Sequence, residues 1–320
     1  MAGPSNFPNG FPQGLTIKGV PLLVANPGRV FWVSNATTLQ TGDVGGSNGN
    51  PGTSQKPFST LTYASTQTVA NRGDIIIVKP GHAETITAAA GIALAKAGVA
   101  IIGLGSGSNR PTFTFTTANT ATILVSADNV SFTNCVFTAN FLSIATAIAL
   151  STAKNFTAQN CLFQDTSGIL NFLNCIKSTG AANTADGLTV LDCVWNGTGT
   201  TSVNSMALVA DANINVQMLR NRCVLERSAD ASILLTVTTG ASTGIELGDN
   251  VVISKQTATT NGTLASLGAS STGSVYRNFS GTLVTAGDKL FTTTVGVFPY
   301  ENRVSGVVGA TGFVIPAVDS

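Results

Sequence analysis

Apolar and polar positions alternate along most of this chain in short bursts, and the bursts recur. Val130, Phe132 and Val136 are interleaved with Ser131 and Thr133 and preceded by the turn residues Asp128 and Asn129. A period of two in β-branched and aromatic residues predicts a strand. The stretch from Ala127 to Phe137 returns at Ala153 to Phe163 and at Ala185 to Trp195, with a looser copy from Asn215 to Leu225 that reads as carrying two extra residues before its cysteine. Fainter echoes stand at Gly98 to Gly103, Gly244 to Val251 and Gly273 to Phe279. Each period also holds a second apolar run, such as Thr122 to Val125 or Ile148 to Leu150. A unit of this length cannot bury its own apolar face and must lean on the next copy, so the pattern predicts a stacked repeat.

Short strands with scarcely any helical periodicity favour one fold class: all-β, a right-handed parallel β-helix. A leucine-rich repeat would need a leucine ladder, and none is present. Stacking puts equivalent positions about 4.8 Å apart with side chains pointing the same way. Cys135, Cys161, Cys193 and Cys223 are therefore expected to form an internal column of free thiols, because parallel side-chain vectors suit disulfide geometry badly. Cys175 is off that register and is expected to be another core thiol. Asn134, Asn160, Asp192 and Asn221, ahead of the thiols, read as a turn-capping ladder.

The flanks depart from the period. Residues 1–35 form an aromatic, turn-rich arm in which Phe7, Phe11, Phe31 and Trp32 are the candidate docking residues, for the chain's own body or for a partner. Residues 36–280 are assigned to the solenoid, with a capping helix at about 58–71 that places Phe58, Leu61, Ala64 and Val69 on one face behind Ser59 or Thr60 as N-cap. Such a helix would plug the open end, where unpaired strand edges invite aggregation. Residues 281–320 lose the period and read as a C-terminal cap or an oligomerisation segment.

Composition narrows the function classes. Charged residues make up 10% of the 320 residues and the formal net charge is +1, which leaves no electrostatic footprint for nucleic acid or an anionic membrane. No basic stretch followed by an apolar core opens the chain, so no secretory signal is expected. The most apolar window, Ala88 to Leu104, is broken by Lys96, Gly91, Gly98 and Gly103 and reads as strands. Tight Cys or His pairs are missing, so no metal site is expected, and no cofactor is called for.

Two motifs carry a resemblance. Gly52-Thr53-Ser54 through Pro57-Phe58 to Leu61, then Gly73-Asp74-Ile75-Ile76-Ile77-Val78-Lys79-Pro80-Gly81, resembles the opening of pectate-lyase-like right-handed β-helices; His82-Ala83 stands where that group often has a Tyr before the Glu. Joined to the segment from Asn6 to Val33, it resembles β-helical virion proteins of tailed bacteriophages. The resemblance implies a structural protein that decorates or cements the capsid, made without a signal peptide and carried on the virion surface, with the major capsid protein and two further copies of itself as partners. The alternative is a tailspike or receptor-binding protein recognising host surface polysaccharide.

Because the same solenoid serves lyases, depolymerases and inert proteins, chemistry has to be sought in the residues. Carboxylates are scattered. Asp128 and Asp186 are two rungs apart with Lys154 between them, which reads as a charge-balanced turn column. Glu246 and Asp249 read as pointing to opposite faces of one strand. His82 beside Glu84 reads as a solvated turn residue. No catalytic residue is assigned, and the expectation is a chain that is not an enzyme.

Overall fold

In the computed structural model the described residues are 16–17, 20–21, 28–37, 42–178, 181–198, 205–226, 232–254, 263–282, 289–291 and 296–305. Three parallel sheets of ten, nine and eight strands run the length of the molecule, and each strand is bonded to its counterpart one rung away. The chain is a right-handed parallel β-helix. A two-residue antiparallel pairing, Thr16–Ile17 with Val20–Pro21, stands apart from it.

The repeated bursts become strands because their alternate residues point inward. In the ten-stranded sheet Ile76, Ile101, Phe132, Ala158, Val190, Met218, Leu247 and Val275 stack in register and are fully buried. In the nine-stranded sheet Phe113, Phe137 and Phe163 stack with ring centroids 5.8 and 5.0 Å apart and interplanar angles of 23° and 22°, a ladder that Trp195 and then Cys223 continue. Offset-stacked rings add to the burial of apolar area.

Turns between the sheets are as regular as the strands. Asn134, Asn160, Asp192, Arg220, Asp249, Arg277 and Glu301 all adopt φ between 49° and 59°. The left-handed region costs roughly 1–2 kcal/mol for most L-residues and least for Asn and Asp. The two arginines are held there by their neighbours: Arg220 forks onto Asp192 at 2.7 and 3.0 Å, and Arg277 onto Asp249 at 2.7 Å through both nitrogens.

At the N-terminal end, helix α1 (Leu61–Gln67) starts at Thr60, whose hydroxyl accepts from the Tyr63 N–H. Phe58, Leu61 and Ala64 are buried, as the helical spacing predicts, but Val69 lies beyond the last turn and is 49% exposed. The helix packs against Ile92–Leu94, Val30–Val33 and Ile75–Val78, covering the first rung.

Both flanks extend the solenoid further than the sequence pattern suggested. Val30–Val33 is the first strand of the ten-stranded sheet, paired in parallel with Ile75–Val78. Lys289–Phe291, Gly296–Tyr300 and Arg303–Ser305 each add a last strand to one of the three sheets. The period after Gly281 is thus continued in structure where it fades in sequence, since backbone pairing needs extended chain and not a particular side chain.

Candidate functional site

Phe7 and Phe11 lie outside the described residues. Phe31 is not an exposed docking group: it is 8% exposed and stacks on Phe58 at 6.0 Å. Strand alternation decides this, because Phe31 and Val33 face the core while Val30 and Trp32 face out. Trp32 is half-buried on the outer face of the first rung. The root of the arm is fixed by Asp74, a fully buried carboxylate that accepts from the Arg29 and Val69 N–H groups and from both forks of Arg72, all at 2.7–2.8 Å. Burial pushes the Asp74 carboxyl up, but the Arg72 guanidinium and the two N–H donors outweigh it and leave the group below the usual carboxylate range.

His82 is buried rather than solvated. Its Nδ1 accepts from the Asn35 N–H at 3.1 Å, so its proton sits on Nε2 and is directed to Glu84 Oε2 at 3.1 Å. The same carboxylate oxygen accepts from the Leu61 N–H at 2.8 Å, one of the unpaired donors at the start of α1. His82 and Glu84 therefore tie the strap at Asn35 to the plug helix. Nearby, an open cavity of ≈ 340 Å³ is lined by Ser34, Lys79, Gly81 and Asn109, with Lys79 paired to Asp43.

All five cysteines are free and buried. Cys135, Cys161 and Cys193 take equivalent places on successive rungs, where the Cys161 N–H approaches Cys193 Sγ at 3.4 Å and the Cys161 thiol donates to the Phe132 carbonyl at 3.6 Å. Burial pushes the Cys135 and Cys193 thiols well up. Cys223 is not the fourth member. It pairs in register with Trp195, two residues along, and its place is taken by Asn221, whose Oδ1 accepts from the Cys193 N–H at 2.9 Å. The two extra residues inferred for that copy do not exist, because the turn keeps its length and the cysteine is displaced into the strand.

From Asn221 the column continues as Asn250, Asn278 and Asn302. Asn221, Asn250 and Asn278 each donate from Nδ2 to the next Asn Oδ1 at 2.9–3.0 Å; all four Nδ2 groups, Asn302 included, donate to a strand carbonyl at 2.8–2.9 Å, and each Oδ1 also receives a backbone N–H from the preceding rung. Asn134 and Asn160 do sit in the turn and bond to each other at 3.1 Å. The signal for the inner ladder was present in the pairs Arg220-Asn221, Asp249-Asn250, Arg277-Asn278 and Glu301-Asn302, at rung spacing.

Of the expected charge column, the ion pair forms between the Lys154 ammonium and Asp186 at 3.1 Å, while Asp128 accepts from the Lys154 backbone N–H at 2.8 Å. Glu246 and Asp249 are not on opposite faces. Asp249 is a turn residue, and it is joined to Glu246 through Arg277 and Tyr276. The Tyr276 hydroxyl donates to Glu246 Oε1 at 2.6 Å while the Arg277 guanidinium lies over the Tyr276 ring at 4.8 Å. Hydrogen bonding to Glu246, with burial, pushes the Tyr276 phenol up to about 12, which makes it a donor and not a base at neutral pH. Among the described residues no group of three or more metal-ligating side chains occurs, and no helix is long and apolar enough to cross a membrane.

No known protein family matches the chain, and no curated protein sequence matches it. A solved structure named rhamnogalacturonan lyase is similar over 80% of this chain and 69% of its own, with a TM-score of 0.45 and 14% identity. That structure bears the name of a lyase, and the expectation that the chain is not an enzyme is withdrawn.

Proposed function

We propose that this chain is a structural component of a bacteriophage virion that decorates or cements the head shell, docking through the residues ahead of its first strand. The observation that supports this reading is the way the root of the arm is built. Val30–Val33 is a strand of the solenoid and not part of a tether, Asp74 clamps Arg29, and the buried His82–Glu84 pair holds the strap at Asn35. The chain ahead of Gly28 is therefore joined to a rigid point at the plugged end, on a strand whose outer face carries Trp32. Three such chains around a symmetry axis would present three arms at once, and effective concentration would make weak single contacts sufficient. A surface poor in charge suits close packing of copies, since few ions lose water.

The test is deletion of residues 1–27, which spares every strand of the solenoid. Light scattering should give a trimer mass for both proteins, and sedimentation with empty capsids should carry down the full chain but leave the truncated one in solution. A truncated protein that still decorates shells moves the docking surface elsewhere. A full-length chain that is monomeric and fails to bind capsids ends the proposal.

A further inference from the structure

The outer face of the ten-stranded sheet changes character over its last rungs. Phe298 and Tyr300, on the final strand Gly296–Tyr300, are 76% and 40% exposed. Tyr300 lies parallel to Tyr276 one rung back, with centroids 5.2 Å apart and planes within 14°. Glu246 and Gln217 follow in the column next to Tyr276, joined through Gln217 Nε2 at 3.1 Å.

Tyr276 is fixed on three sides by independent contacts. Its hydroxyl is held by Glu246, and its ring is covered by Arg277, which Asp249 immobilises in turn. It also lies so close over Gly248 that a Cβ there would stand 2.5 Å from the ring. A surface ring needs none of this to stay folded. Backed by a ring so fixed, Tyr300 and the exposed Phe298 offer pre-set aromatic surfaces, bordered by satisfied carboxylate, amide and guanidinium groups, that bind at low ordering cost. They also match one ligand chemistry, the sugar ring, which has an apolar C–H face and a rim of hydroxyls that both donate and accept.

We propose that Phe298, Tyr300, Tyr276, Glu246, Gln217 and Arg277 form a binding site for a neutral, hydroxyl-rich polysaccharide. Charge selects the neutral class. Both guanidiniums, Arg220 and Arg277, are already claimed by Asp192 and Asp249, whereas among the described residues Glu246 is met by the neutral donors of Gln217 and Tyr276. A uronate carboxylate would meet a negative surface with no cation to spare among these groups. The rung spacing of about 4.8 Å is close to the length of one pyranose unit, so a chain lying along the solenoid axis would set successive sugars over successive rungs.

Affinity electrophoresis of the full chain through gels containing dextran, amylose, galactomannan or polygalacturonate tests this. Retardation by at least one neutral polymer and none by polygalacturonate is expected, with the apparent association constant falling at least tenfold in Tyr300→Ala and in Phe298→Ala. Both positions are solvent-facing, and unchanged thermal midpoints confirm that the variants fold. The chain lacking residues 1–27 should be retarded like the full one, which separates this site from the docking proposal. The inference is overturned if no neutral polymer retards the protein, if polygalacturonate alone does, or if both variants migrate like the parent.

Discussion

At the scale of residues, the inner asparagine column shows how a polar side chain earns a place in a β core. Each amide between Asn221 and Asn302 satisfies its own group, the next rung's amide, a strand carbonyl and a backbone N–H. Removing a link leaves several buried partners unmet, each costing about 1–3 kcal/mol. Asn250→Ala should therefore lower stability by about 3 kcal/mol or more in denaturant unfolding, while Asn134→Ala in the half-exposed turn should cost far less. A loss at Asn250 below about 1 kcal/mol would show that the ladder tolerates gaps. The cysteines that precede this column do the same job with a weaker acceptor. Thiols at Cys135, Cys161 and Cys193 should stay unreactive to a thiol reagent in native buffer and all five should react once the protein is unfolded; rapid native labelling of any of them would mean that its rung opens.

At the scale of elements, the capped end is where charge matters. The Asp74 carboxyl is held below its ordinary range by Arg72 and two N–H donors despite its burial. A group depressed in the folded state contributes stability that is full above its unfolded value of about 3.9 and is lost as pH falls through the lower folded value. Asp74→Asn should therefore melt below the parent between pH 5 and 7, with the gap starting to close as the pH falls below the unfolded value of about 3.9. A gap that persists unchanged in acid would assign the effect to packing and not to charge. The same element shows the limit of helical periodicity. Leu61 and Ala64 were legible as a buried face, but Val69 was not separable from it until the helix was seen to stop at Gln67.

At the scale of the whole molecule, stacking three sheets makes every rung the neighbour of two others, so stability is close to a sum of rung and interface contributions. The long-range pairs are 24 to 32 residues apart along the asparagine and cysteine column, and that separation is the length of one turn of the solenoid. Chemistry also belongs to this scale, because a β-helix carries binding and catalytic surfaces on its outer faces without changing its core.

The sequence by itself determined the repeat, the strands within it, the turns at Asn134, Asn160 and Asp192 and the buried state of the cysteines, because these depend on a period of two and on local backbone preference. Tertiary structure alone decided register and sidedness. Cys223 and Asn221 differ by two positions, a shift that keeps a residue on the same face and so leaves no trace in the hydrophobic pattern. Phe31 resembled an exposed aromatic because its burial comes from Phe58 and the plug helix, which the local pattern does not contain. The Tyr276–Tyr300 platform was invisible for the same reason: its members come from four rungs, and only the stacking of those rungs brings Gln217, Glu246, Arg277 and two rings together.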